Sequence, residues 1–530
     1  MKTRTEKKWL LVYALAVLGV TSVPYVMGFA LQGEAWRYTG FVFGVEDGNS
    51  YLAKMLSGAY GAWLFKTPYT AYPQSGFFGF FPYLLLGKVS VRGWQHSSLV
   101  VLFHAFRWLG GVLMIWATYD FASIFIEKIR YRRWATVLAT LGGGIGWLTV
   151  FGLNGLWGER MPLEFYSPES FGFLSIYGLP HLAFARAMLL WGLARYLRCS
   201  GRSWKAGLAT SGLWLGLSLM QPITVVVGGT LIGWHLVITG MKALIVGRAA
   251  LKARWREQFG FAVKMAILPA PVVVYTAWAF LNDPFLGQWS TQNIIQSPPF
   301  GDYLLAYGGM LILAAAGLKA VFRQEDQNVW LFLLGWVVLF PVLAYLPFSV
   351  QRRLPEGVWA AISVLGVSSV STMPKWFQKA AHVFFGVSIL PAVILLLGGV
   401  TAVMNIATPL YRPAKEVEVF EWLRTNGSPG DVVLAAYDTA NPLPAWTPMR
   451  GLVGHGPESV HLEAVNARVG AFYAESTLDA VRRDLIEEFA IRYVIYGPEE
   501  DSLGRWKLEN APYLALVYEN TDYQVFQVIE

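Results

Sequence analysis

AHVFFGVSILPAVILLLGGVTAVM, residues 381–404, runs for two dozen positions without a charged side chain. A helix needs about 20 mostly apolar residues to cross the hydrocarbon core of a bilayer. Residues 9–31, 134–153 and 223–245 have the same character. Working outward from these, apolar spans fall at 9–31, 97–126, 134–153, 173–197, 206–221, 223–245, 260–281, 302–321, 329–349, 356–372 and 381–405. Composition agrees: of 530 residues, 55% are hydrophobic, 15% aromatic and only 14% charged, against about 25% charged in soluble domains. The expected fold is a polytopic α-helical membrane protein of about eleven transmembrane helices, followed by a small C-terminal extracytoplasmic α/β domain.

The net charge of +8 is carried by short loops between spans, at 2–8, 128–133, 195–205, 248–256, 319–323 and 375–379. Placed there, basic residues read as topology and as affinity for anionic lipid, not as a nucleic-acid surface. By the positive-inside rule the N-terminus is cytoplasmic, and eleven crossings put the C-terminus outside a multi-pass protein of the cell membrane. Merging 206–221 with 223–245 across Gln221-Pro222 would carry the basic stretch 248–256 to the outside, which the charge pattern opposes. Residues 9–31 lack a small-residue cleavage site and are expected to remain as the first span. The single cysteine, Cys199, lies in a loop expected in the cytoplasm, so no disulfide framework is present.

From residue 411 the chain turns polar, which divides it into a membrane module at 1–410 and an outside domain at 411–530. In the latter, 417–425 and 478–489 read as helices, the first ended by a left-handed cap at Asn426-Gly427. Residues 431–437, 492–496, 514–518 and 523–529 read as strands, the last two joined as a hairpin through Asn520-Thr521-Asp522.

The first outside loop, 32–96, is long and carries Glu46-Asp47 just before an expected amphipathic helix at 50–64. Adjacent carboxylates suit a divalent cation, or a general base for a hydroxyl. The same dipeptide also reads as a solvated acidic turn punctuated by Gly48. The aromatic run that follows, with Tyr69, Tyr72, Phe77, Phe78, Phe80, Phe81 and Tyr83, suits a segment lying in the membrane interface.

With a cytoplasmic N-terminus, a long first outside loop bearing Glu46, Asp47 and Tyr51, about eleven spans and an outside C-terminal domain, the chain resembles the GT-C fold membrane glycosyltransferases. That broad class includes the protein mannosyltransferases and the bacterial aminoarabinose transferase. The resemblance implies a catalytic carboxylate or metal ligand in the first outside loop, and it falls on Asp47 first and Glu46 second. It implies a polyprenyl-phosphate sugar donor reached from the membrane, an acceptor on the extracytoplasmic face, and a divalent cation such as Mg or Mn at Asp47 and Glu46. The order Glu-Asp departs from better-known members, and Glu164 and Glu169 stand in for a second acidic motif.

A departing phosphate at the outer face needs cations. Lys54, Lys66, Arg92, Arg160, Arg352 and Arg353 are the candidates, and Gln351-Arg352-Arg353 runs against the positive-inside trend. Arginine pairs suit phosphate, although lipid headgroups or Glu356 would also occupy them. His181 and Arg186 in the fourth span join Tyr51, Lys54 and Gln351–Arg353 as candidate substrate-binding residues. An ionisable group at membrane depth is a site by default, and His181 suits phosphate contact or a proton relay. His104 and Arg107 in the second span raise the same question. Each of these also reads as a structural contact to backbone. The stretch 282–299, with Trp289 and Gln292, suits an acceptor cleft or a bundle closure. The stretch 454–459, with His461 beyond it, suits a loop facing the active site; His455, Glu458, His461 and Glu463 match no standard metal spacing. A transporter or lipid flippase, or a noncatalytic scaffold, are the competing functions. No internal repeat favours the transporter.

Overall fold

A computed structural model describes residues 2–90, 96–198, 203–321 and 327–529. Arg92, Cys199 and part of the basic stretch 319–323 lie outside the described residues. The chain is mostly helical. Among the described residues, five helices are long and apolar enough to cross a membrane: Arg4–Leu31, His96–Phe125, Pro222–Val246, Gln327–Ala344 and Lys375–Met404. A sixth is counted if Ala249–Ala266 and Pro269–Asn282, bent by 58°, form one span.

Elsewhere the apolar stretches are broken for local reasons. Residues 134–153 give the helix Ile129–Leu141 and then a short 3₁₀ segment, Gly146–Phe151. Gly142-Gly143-Gly144 separates them, and glycine is a weak helix former. Residues 173–197 divide into Gly172–Gly178 and Pro180–Leu197, because Pro180 has no N–H to continue the ladder. Pro222 likewise separates Trp204–Met220 from Pro222–Val246.

The chain forms two compact units. The first comprises Met1–Ser22, Ala105–Thr276 and Ile295–Gly398. Its core is one continuous apolar cluster that includes Leu18, Met114, Leu189, Tyr307, Trp336 and Trp359. The helix Val358–Val370 is buried along its whole length, and Trp359 Nε1 donates to the Leu138 carbonyl at 2.7 Å.

The second unit comprises Val23–His104, Ala277–Ile294 and Gly399–Glu530. Strand β1 (Trp36–Tyr38) pairs antiparallel with β2 (Tyr411–Pro413), Tyr38 opposite Tyr411. A five-stranded sheet follows from β3 (Val432–Leu434), β4 (Arg450–Gly451), β5 (Ile491–Tyr496), β6 (Leu514–Glu519) and β7 (Gln524–Val528), in the order β4-β3-β5-β7-β6. β3 runs parallel to β4 and β5, and β7 is antiparallel to β5 and β6. Helices Leu462–Tyr473 and Asp479–Phe489 contribute Val469, Phe472 and Leu485 to its core. The helix Ala414–Asn426 ends differently from expectation: Gly427 is extended, at φ −98°. A Cβ there would lie 1.9 Å from Met449 Cε, so the end of that flexible side chain would have to shift to accept any larger residue.

Two helices of the first outside loop, Val45–Ala59 and Phe81–Lys88, meet backbone to backbone. A Cβ on Gly87 would lie 1.7 Å from the Met55 carbonyl oxygen, and one on Gly58 would lie 2.0 Å from that of Leu84. The aromatic run does not simply lie on a surface: Tyr69, Phe77 and Tyr83 are buried. Gly87→Val is expected to force this helix pair apart at a cost of at least 1–3 kcal/mol, roughly the range for overpacking. The thermal midpoint of the purified protein should fall accordingly.

Candidate active site

The helix Val45–Ala59 starts five residues earlier than the sequence suggests. Gly44 caps it in the left-handed region, at φ 55°, which glycine adopts without strain. Glu46 and Asp47 therefore occupy the first helical turn, where unpaired N–H groups and the helix dipole favour negative charge. The inward face of the same helix carries Asn49, Ser50 and Lys54, all buried.

Residues His455 to Ser459 lie against this helix within the second unit. His455 Nε2 is 3.3 Å from Asp47 Oδ1. The imidazole is 7% exposed while the Asp47 side chain is 60% exposed, so a buried group backs an open carboxylate. Glu46 Oε1 accepts from Tyr437 OH at 2.5 Å and from the Gly456 N–H at 2.6 Å. Beneath them, Lys54 Nζ lies 2.6 Å from Glu458 Oε1. Ser50 Oγ donates to the same oxygen at 2.7 Å, and Thr67 Oγ1 donates to Glu458 Oε2 at 2.9 Å. Phe80, Phe65 and Tyr51 enclose the ammonium, with ring centroids 4.4, 5.1 and 5.7 Å away. Asn49 Nδ2 donates to Asn441 Oδ1 at 2.8 Å, and Asn441 Nδ2 donates to the Gly454 carbonyl at 2.6 Å. Gln292 Nε2 donates to the Ser459 carbonyl at 2.7 Å.

The electrostatics follow. Burial alone would push the His455 imidazole down, but Glu458 and Asp47 outweigh it and hold its pKa above the ordinary histidine value. Burial would raise Glu458, yet Lys54 and His455 hold it below the usual carboxylate range. Because His455 is raised on folding, its contribution is complete below the unfolded value of about 6.5 and is lost as pH rises through the folded value. The thermal midpoint should therefore fall as pH climbs above about 6.5, and His455→Gln should flatten that part of the profile.

The first unit holds the other candidates. Gln351–Arg353 form a single 3₁₀ turn. The Arg352 guanidinium stacks over Tyr166, 4.7 Å from the ring centroid. Arg353 Nε is 3.4 Å from Glu169 Oε1. The Nε atoms of both arginines lack a hydrogen-bond partner among the described residues. Gln351 donates to the Gln296 side chain. Arg186 is fully committed: Nε donates to Glu356 Oε1 at 2.8 Å and Nη2 to the carbonyls of Pro168 and Glu169. Glu164 is buried and accepts the Gly146 N–H at 2.6 Å. Burial pushes its carboxyl up to about 7. Arg160 is bidentate to Asp302 at 3.0 and 2.9 Å. His181 stands, half-buried, in the first turn of Pro180–Leu197.

No family model matches this chain, and no curated protein does. Solved structures do. The oligosaccharyltransferase of Archaeoglobus fulgidus in its apo form is 14% identical, with a TM-score of 0.52 over 91% of this chain and 70% of its own. The archaeal oligosaccharyltransferase AglB from Archaeoglobus fulgidus, in complex with an inhibitory peptide and a dolichol-phosphate, is 14% identical, with a TM-score of 0.51 over 94% of this chain and 70% of its own. ArnT from Cupriavidus metallidurans, bound to undecaprenyl phosphate, is 13% identical, with a TM-score of 0.50 over 98% of both chains. The chain has the GT-C fold. It is a polytopic membrane protein.

Within this GT-C chain, several sequence candidates change character. Lys54 and Arg186 were expected to meet substrate; both are buried and paired, with Glu458 and Glu356. A buried cation is tolerated only with such a partner, so their charge is already used. Tyr51 stacks on Tyr83, with centroids 4.7 Å apart. His104 Nε2 is 3.0 Å from the Gly40 carbonyl, and Arg107 is buried against Thr21 and Ser22, so both make structural contacts. Lys66 is exposed, as are His461 and Glu463. Among the described residues, no three or more His, Cys, Asp or Glu side chains are grouped as metal ligands. Tyr437, Asn441 and Thr67 are the residues that local sequence did not reveal. Thr67 and Asn441 each stand before a proline, and Tyr437 carries no local signal.

Proposed function

We propose that this protein is a membrane glycosyltransferase, moving a hexosyl or pentosyl unit from a polyprenyl-phosphate donor to an acceptor on the extracytoplasmic face. The observation that carries this is Asp47: an open carboxylate in the first turn of a helix, held at one oxygen by a buried histidine. The GT-C fold supports a lipid phosphate here, since two neighbours are solved with dolichol-phosphate and undecaprenyl phosphate. The rest of the proposed topology is a cytoplasmic N-terminus, about eleven crossings and an outside α/β domain at 411–530.

In the transfer, the acceptor hydroxyl oxygen attacks the anomeric carbon, the bond from that carbon to the phosphate oxygen breaks, and polyprenyl phosphate leaves. Asp47 takes the hydroxyl proton, a step that typically contributes about 10²–10⁴-fold. His455 fixes the rotamer of Asp47. Glu46, tied to Tyr437 and Gly456, fixes the helix start against the loop. Lys54 acts through Glu458, as a positioning residue. Recognition of the donor phosphate is assigned to Arg352 and Arg353, with Gln351 and His181, on their charge and hydrogen-bonding capacity alone. Asp47 and Glu46 would be the residues to hold a divalent cation. Such an ion takes one or two carboxylates and completes its shell with substrate phosphate oxygens and water, and an exposed Asp47 beside Glu46 fits that demand. When bound it would supply positive charge to the leaving phosphate.

The test is transfer of radiolabelled sugar from a polyprenyl-phosphate donor in membranes bearing the chain. Arg352→Ala should raise KM for the donor by about ten- to a hundredfold, the equivalent of one hydrogen bond to a charged group. An unchanged KM in both Arg352→Ala and Arg353→Ala would remove these arginines from the donor site.

A further inference from the structure

The first unit contains a cavity of about 690 Å³ that the transfer chemistry leaves unused. Asp120, Trp191, Arg195, Arg198, Thr210 and Phe261 are among its walls. Trp191, Arg195 and Arg198 share one face at the end of the helix Pro180–Leu197, by their spacing of three and four. We propose that this cavity binds the headgroup of an anionic phospholipid, and that it does so on the side of the membrane carrying the basic loops.

Three observations support this. First, the one carboxylate in the wall is already neutralised: Lys2 Nζ is 2.5 Å from Asp120 Oδ1, and Trp191 Nε1 donates to Asp120 Oδ2 at 2.9 Å. An incoming phosphate therefore meets no bare negative charge. Second, the cations are set for use. Arg198 is steadied by Ser123 Oγ at 2.8 Å through one nitrogen, Nη2. Arg195 is exposed at the cavity wall. Third, the surroundings are those of a membrane interface. Trp204, 59% exposed, lies 5.0 Å beneath the Lys264 ammonium, and exposed tryptophan beside basic side chains marks headgroup level. Basic pockets between spanning helices bind anionic headgroups. The proposal is independent of the transferase assignment.

Purified full-length protein would be reconstituted in vesicles of phosphatidylcholine and phosphatidylglycerol at 3:1. Spin-labelled forms of each lipid would then report the motionally restricted fraction. Wild type should hold phosphatidylglycerol in preference to phosphatidylcholine. Arg195→Ala and Arg198→Ala should each reduce that preference by about fivefold, the worth of one basic residue near a headgroup. Arg195→Lys should restore most of it, which a merely misfolded variant would not permit. Equal preference in wild type and both alanine variants would overturn the proposal. So would displacement of the labelled lipid by millimolar inorganic phosphate, which would make the site one for free phosphate.

Discussion

Asp47→Asn should reduce sugar transfer by about 10²–10⁴-fold while leaving expression and donor binding unchanged, because a general base acts on the transition state rather than on the bound donor. The isosteric amide keeps the hydrogen-bonding reach to His455 but cannot accept the hydroxyl proton. Initial rates at saturating donor separate kcat from KM. A loss confined to kcat is the expected outcome. Glu46→Gln should lose less, since Glu46 Oε1 accepts from Tyr437 and Gly456 and an amide oxygen can do the same. Equal and severe losses in both variants would instead point to a shared cation, and titration with Mg or Mn would then separate the two roles.

Lys54→Met is expected to be the most damaging substitution for stability. It leaves Glu458 buried with Ser50 and Thr67 as its remaining hydrogen-bond partners and with His455, whose Nδ1 is 4.0 Å from Oε1, as its nearest remaining positive charge. Removing one member of a buried pair costs about 3–5 kcal/mol, whereas replacing both with apolar groups is often close to neutral. Lys54→Met should therefore lower the thermal midpoint sharply, and Lys54→Met with Glu458→Leu should recover most of it. Transfer activity gives the second readout. The double variant should fold yet transfer slowly, because His455 would lose the loop anchor that aims it at Asp47. Full activity in the double variant would show that the Lys54–Glu458 pair does nothing for Asp47.

The sequence made the class of fold legible, because spanning helices are encoded by uninterrupted apolar length. It was less informative where a short motif competes with that length. Gly142-Gly143-Gly144 and Leu179-Pro180 break stretches whose hydropathy alone reads as continuous helix. Glu46 and Asp47 were legible as an acidic pair near a helix start, but the start itself was misplaced, since Gly44 in the left-handed region is a cap with no side-chain signature. The deeper part of the site was not legible at all. His455 and Asp47 are 408 residues apart in the chain, and no local period connects them. Lys54 read as a phosphate ligand because it is a cation in an outside loop. Only the tertiary fold reveals that Glu458 already occupies it.

The most direct measurement follows the lipid as well as the sugar. Purified protein would be given a polyprenyl-phosphate donor labelled in both the sugar and the isoprenoid chain, together with membrane extract as acceptor. A glycosyltransferase using Asp47 should release unglycosylated polyprenyl phosphate in one-to-one proportion with labelled acceptor, and Asp47→Asn should abolish both together. Donor that crosses the bilayer intact, with no lipid phosphate released and no effect of Asp47→Asn, would contradict transfer and indicate a flippase.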